Sequence, residues 1–142
     1  MARIKIELPD LFFFSTRIPI RITDLNYGGH VGNDSLLSII HEARVQYLLH
    51  HGFREVNAAG PGLIMSEVAI SFKNEIFYGD AVQVWVGAGG FAGVAFDIFY
   101  KLECEKKEEV QLLATAKTRM VCYDYSIQKM VAIPEDLRLK LQ

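Results

Sequence analysis

The side chains best suited to chemistry crowd into one stretch, Thr23 to Gly52, which reads TDLNYGGHVGNDSLLSIIHEARVQYLLHHG. Its first part is a glycine-broken polar loop holding Asp24, Asn26, Tyr27, His30 and Asn33. Asp24 can attack an electrophilic carbon or take a proton from water. It can equally be a turn aspartate that bonds its own backbone. His30 can orient water or hold the loop through a carbonyl. Asn33 can cap a helix, or orient substrate or water. The second part is helical, so the backbone N–H groups of Gly29 to Asn33 would gather at a helix N-terminus. Such groups polarise a carbonyl, and glycine lets the backbone approach it closely.

The helix itself is expected to start near Asn33 or Asp34, either of which can cap it, and to stop at Gly52. At about 100° per residue, Leu36, Ile39, Ile40, Ala43 and Tyr47 form one face, widened by Leu37 and Leu48. Val45 and Leu49 lie almost opposite, so the helix reads as apolar on nearly all sides and therefore surrounded by protein. It is too short, and with Glu42 and Arg44 too charged, for a membrane span. A carboxylate on a buried helix needs a partner. Glu42 would find it in Arg44 of a second subunit or in a loop group, or would act as a second acid or base. His41, His50 and His51 fit the surface near the helix C-terminus.

The 142 residues suggest one domain spanning 1–142, large enough to bury a core without staples. With 15 basic and 17 acidic side chains there is no excess cation to neutralise a phosphate backbone, which argues against nucleic acid. The two cysteines, Cys104 and Cys122, fall in strand-like runs and read as free thiols of a reducing compartment. Glu7, Pro9 and Asp10 interrupt the N-terminal apolar run, so it does not read as a signal peptide, and a cytoplasmic protein is expected. No carboxylate–histidine cluster has metal-ligand spacing, and no cofactor is implied.

Around the central stretch the chain alternates with period two. Phe12, Phe14, Thr16, Ile18, Ile20 and Ile22 oppose Ser15, Arg17 and Arg21, and Pro19 favours an edge strand. After a surface connection from Gly52 to Gly62 come four more runs. Ile64, Val68, Ile70 and Phe72 oppose Glu67, Ser71 and Lys73; Val82, Val84, Val86 and Ala88 oppose Gln83 and Trp85. Val94, Phe96, Ile98, Tyr100 and Leu102 oppose Asp97, Lys101 and Glu103; Val110, Leu112, Ala114, Ala116 and Met120 oppose Gln111, Lys117 and Arg119. Glu105 to Glu109 is a solvated hairpin tip, and Pro134 opens a short C-terminal helix with Glu135 and Asp136 in its first turn. One strand, one helix and four strands joined mainly by short turns predict an α+β protein, a curved antiparallel sheet wrapped around the helix.

This order, with Thr23-Asp24, Gly29-His30-Val31, Asn33, Glu42-Ala43-Arg44, Tyr78-Gly79-Asp80, Val121-Cys122 and Pro134-Glu135-Asp136-Leu137, resembles the hotdog fold, and within it the hydroxybenzoyl-CoA thioesterase-like acyl-CoA thioesterases. Gly32 stands where the motif carries its first asparagine, and the Asp24-x-Asn26 arrangement is closer to acyl-carrier-protein thioesterases. The resemblance implies hydrolysis of an acyl-CoA or acyl-carrier thioester by a homodimer, or a dimer of dimers, with the site at the subunit boundary. It implies a catalytic set of Asp24, His30 and Asn33 and a substrate-binding set of Asn26, Tyr27, Gly29, Val31 and Glu42. Phe12, Phe13, Phe14, Tyr27 and Met65 could line an acyl tunnel, and Lys73, Lys117 and Arg119 could meet the phosphates of coenzyme A. The alternative is a hotdog protein that binds acyl thioesters without turning them over. A hydratase of the same fold is disfavoured, because its histidine–glycine–proline-type loop is absent.

Overall fold

A computed structural model describes residues 3–56 and 60–142; within the 52–62 connection, 57–59 lie outside it. The long helix, α1 (Asn33–His50), buries Leu36, Ile39, Ile40, Ala43, Arg44, Tyr47 and Leu48. This is the face that helical periodicity selected, plus Arg44. The other flank is open in the single chain: Glu42 is exposed and Leu49 is 49% exposed, against the expectation of burial all round. The sheet covers one side of the helix only. The helix ends as Gly52 requires. Gly52 adopts φ 85°, its N–H donates to Leu49 O at 3.0 Å, and Phe53 N–H donates to Leu48 O at 2.8 Å. That pair of bonds is a Schellman stop.

The strands are β1 (Phe14–Pro19), β2 (Gly62–Phe72), β3 (Ala81–Ala92), β4 (Ala95–Lys106), β5 (Glu109–Asp124) and the two-residue β6 (Lys129–Met130). They form one antiparallel sheet in the order β1-β3-β4-β5-β2, with β6 added beside β5. The α+β architecture is therefore the expected one, although β6 carried no readable signal. A second helix, α2 (Glu135–Leu141), follows Pro134 and buries Leu137 and Leu141.

The inner face of the sheet is assembled from alternate residues. Val82, Val84 and Val86 of β3 and Phe96, Ile98, Tyr100 and Leu102 of β4 are at most 1% exposed. In β5 the alternation breaks. Leu102 opposes Ala114 but Glu103 opposes Leu112, so one residue bulges out of register. Leu113, not Leu112, is then fully buried, and Val110 is exposed. The expected phase of Val110 and Leu112 is corrected by a bulge that depends on the partner strand. β1 is shorter than the run that suggested it, because Ile22 to Asp24 turn into one 3-10 turn and Ile22 is exposed.

Two further expectations change. Asp97, placed on the polar face, is buried and accepts from Arg119 Nη1 at 3.1 Å across β4 and β5. Ile64, Val68 and Phe72 of β2, placed on a buried face, are 37–56% exposed, as the outermost strand has no layer over it here. Inside, Arg44 Nε donates to Glu55 at 2.6 Å and Arg44 Nη1 to Tyr100 Oη at 3.2 Å; Tyr100 Oη and Thr118 Oγ1 share a bond of 2.6 Å. Arg44 is therefore satisfied within its own chain and is not the partner of Glu42.

Cys104 and Cys122 are buried free thiols, and burial pushes the Cys122 thiol up to about 11. The folded state therefore holds Cys122 protonated at pH 8, so alkylation at that pH should be slow in native protein and fast in urea, as read by mass spectrometry. Ile40 is fully buried at the centre of the helix face. Ile40→Ala should cost about 2–5 kcal/mol, measured as a lower urea midpoint with an unchanged slope.

Candidate active site at the tip of the central helix

The loop between β1 and α1 folds on itself before it reaches the helix. Asp24 closes the 3-10 turn: its Oδ2 accepts from Arg21 N–H at 2.8 Å and its Oδ1 from Arg21 Nη2 at 3.3 Å. The chain then makes a small hairpin. Leu25 bridges Val31, Asn26 N–H donates to His30 O at 2.8 Å, and Gly29 N–H to Asn26 O at 3.1 Å. Gly29 takes φ 83°, a left-handed position that suits glycine alone. Asn26 Oδ1 accepts from Gly28 N–H at 2.9 Å. Val31 N–H then donates to Ile76 O at 2.8 Å, which staples the loop to the segment that leaves β2.

This path brings the helix tip to a cavity of about 380 Å³, lined by Asn26, His30, Val31, Gly32, Asn33 and Leu36 on one side and Phe72 to Ile76 on the other. The cap position is Gly32, not Asn33 or Asp34, and no side chain caps the helix. Asn33 is instead the first helical residue, and its Oδ1 accepts from Asp34 N–H at 2.9 Å. Among the described residues the Asn33 N–H meets no protein acceptor. It is a free donor at the positive end of an 18-residue helix. His30 packs back on its loop, with Nδ1 3.4 Å from Val31 O.

Four of the expected site residues, Asn26, His30, Val31 and Asn33, thus meet at one cavity. The other four do not. Tyr27 projects fully into solvent from the hairpin tip, and Gly29 has open space around it. Asp24 and Glu42 line a different groove, about 260 Å³, with Arg17, Arg21, Ser38 and Gln46. Asp24 turns that way because the 3-10 turn directs its carboxylate back to Arg21. Phe12, Phe13, Phe14 and Met65 also stay out of the cavity. Phe13 is 91% exposed and Phe14 packs edge-on against Tyr47. Lys73 lines the cavity, whereas Lys117 and Arg119 sit on the outer face of the sheet.

Residues that sequence reasoning missed are Leu36, Phe72, Asn74, Glu75 and Ile76. The available signal was the polar run Lys73-Asn74-Glu75 between two apolar residues at the end of a strand. Among the described residues, no three His, Cys, Asp or Glu side chains converge as a metal site would need.

The sequence model described as the thioesterase-like superfamily matches residues 20–141. The chain belongs to that superfamily, and with it to the hydrolases that act on thioesters. It is 29% identical over 125 residues to a 1,4-dihydroxy-2-naphthoyl-CoA hydrolase of Microcystis aeruginosa, covering 84% of this chain and 86% of the relative. Among solved structures it is similar to a 1,4-dihydroxy-2-naphthoyl-CoA thioesterase from Synechocystis, with a TM-score of 0.79, 23% identity and coverage of 90% and 94% of the two chains. It is also similar to a 4-hydroxybenzoyl-CoA thioesterase mutant complexed with 4-hydroxybenzoyl-CoA, with a TM-score of 0.82, 17% identity and coverage of 91% and 98%. These neighbours make the fold the hotdog fold, as the resemblance implied.

The two bonds from Arg21 make Asp24 a local tie. Asp24→Ala should lower stability by about 1–2 kcal/mol, the usual cost of losing such a capping acceptor. Asp24→Asn keeps an acceptor for the Arg21 N–H and should lose less than half as much, read from thermal or urea unfolding.

Proposed function

We propose that this chain hydrolyses the thioester of an acyl-CoA at the helix-tip cavity, with an aromatic acyl group as the favoured substrate. Superfamily membership supports thioester chemistry, and the curated relative is named for an aryl-CoA. The observation that carries the reading is the unpartnered Asn33 N–H opening onto a cavity walled by Val31, Leu36, Phe72 and Ile76. An apolar wall suits a flat acyl group, and a fixed donor suits its carbonyl oxygen.

A thiolate is already a fair leaving group, so the main demand is on the carbonyl. As it becomes tetrahedral, negative charge gathers on the oxygen. A preorganised backbone donor at a helix N-terminus stabilises that charge by about 3 kcal/mol. Asn26, on the same wall, orients the thioester, while His30 packs back on the loop and holds its shape. With both its oxygens directed to Arg21 and its groove on the other side of the loop, Asp24 serves as a positioning residue rather than the nucleophile or base. Lys73, which lines the cavity, meets the phosphates of coenzyme A.

The active form is a homodimer. Its support is the free edge of β2, where Ile64, Met65, Val68 and Phe72 are exposed together beside unpaired backbone. Phe72 also lines the cavity, so pairing along β2 would bring a second chain to its rim. The reducing compartment suggested by the buried free thiols favours the cytoplasm.

The test begins with a panel of aryl- and alkyl-CoAs, followed by thiol release. Turnover greatest on aryl thioesters is the expected result. Saturable binding with no turnover across the panel would instead establish the non-catalytic alternative. The donor can be deleted without deleting the helix. Proline is tolerated at the first helical position, and Gly32 already has the extended backbone (φ −77°, ψ 165°) that must precede it. Asn33→Pro should lower kcat about 100-fold or more. Asn33→Ala, which keeps the N–H, should stay within a few-fold of the parent. Light scattering should give twice the monomer mass, and Val68→Lys should shift it toward one.

A further inference from the structure

The helix-tip donor polarises a carbonyl but delivers no nucleophile. Resting on the thioesterase reading above, we propose that Glu75 is the carboxylate that activates the attacking water. Among the residues lining the cavity it is the one acidic side chain. The amides of Asn26, Asn33 and Asn74 cannot accept a proton at neutral pH, and Lys73 is cationic. The His30 ring is turned to its own loop, Nδ1 toward Val31 O and Nε2 toward Gly28, where a Cβ would lie 3.4 Å away.

The backbone that carries Glu75 is also held in place. On one side, Lys73 N–H and Asn74 N–H donate to Leu113 O at 2.9 and 3.1 Å, and Asn74 Nδ2 donates to Leu112 O at 2.6 Å. On the other, buried Ile76 accepts from Val31 N–H at 2.8 Å. Val31 lies two residues before the donor Asn33. The backbone on both sides of Glu75 is thus anchored, and one of those anchors is the loop that carries the oxyanion donor. Among the described residues Glu75 enters no ion pair. It therefore keeps its lone pairs for water.

In the step, Glu75 takes one proton from water while the water oxygen bonds to the carbonyl carbon. The tetrahedral intermediate collapses, the C–S bond breaks with its electron pair on sulfur, and the proton held by Glu75 passes to the thiolate. The products are the carboxylic acid and the free thiol of coenzyme A.

The experiment is steady-state hydrolysis of the best acyl-CoA from the panel by the parent protein, Glu75→Gln and Glu75→Asp. A general base of this kind contributes about 10²–10⁴-fold. Glu75→Gln should lower kcat at least 100-fold and leave KM within about threefold; Glu75→Asp should recover part of the rate. Glu75 is exposed, so circular dichroism should match the parent for both variants. Glu75→Gln with kcat within threefold of the parent, or with a raised KM alone, would overturn the assignment and leave the thioesterase reading intact. A parent protein inert on every acyl-CoA would overturn both.

Discussion

The burial of one face of α1 against the inner face of the sheet is the constraint on which everything else hangs. Leu36, Ile40, Ala43, Tyr47 and Leu48 join Val82, Val84 and Val86 of β3 and Phe96, Ile98, Tyr100 and Leu102 of β4 in one core, which Leu137 and Leu141 of α2 complete. Leu36, Ile40 and Leu48 each gain about 1.5–3 kcal/mol on burial. Once that face is committed, the axis of α1 is fixed, and so is the place where its N-terminus emerges. The cavity at the tip follows from the packing and needs no separate device to hold it open on the helix side.

Polar groups inside that core are matched closely. Arg44, Tyr100, Thr118 and Glu55 form one connected network, and among the described residues no buried side-chain polar atom lacks a partner. Burial disfavours the Tyr100 phenolate and so keeps its hydroxyl neutral beside the Arg44 cation. A buried guanidinium is costly unless paired. The pairing ties the connection after α1, through Glu55, to the middle of the sheet. The same network registers the helix along the strands, which in turn sets the depth of its tip.

Around the tip, the chain sorts its reactive side chains into two groups. The 3-10 turn sends Asp24 toward Arg21 and the groove it shares with Glu42, while the small hairpin at 25–31 returns Asn26 and His30 to the helix. The bond from Val31 to Ile76 then brings in a segment from the far end of β2, and with it Lys73, Asn74 and Glu75. The cavity at the helix tip is lined by that loop and by the end of β2 together.

Local regularities were legible in the chain alone. The 3.6-residue spacing of α1, its stop at Gly52, the alternation in β3 and β4, and the charged tip between β4 and β5 each rest on interactions between near neighbours. The loop could be singled out as a candidate for the same reason, since its glycines and its position before a helix are local facts. Other features depended on partners far along the chain. The bulge that buries Leu113 in place of Leu112 is a matter of register with β4. The exposure of Ile64 and Phe72 follows from β2 lying outermost in the sheet. Whether Asp24 or Glu75 lines the helix-tip cavity is decided by which backbone groups the loop can bond once the sheet has closed. Sequence by itself determined the elements and the polar loop, because helix and strand periods and turn residues act over a few positions. Only tertiary structure decided which carboxylate shares a cavity with Asn33, because that depends on one hydrogen bond between Val31 and Ile76 that no local pattern encodes.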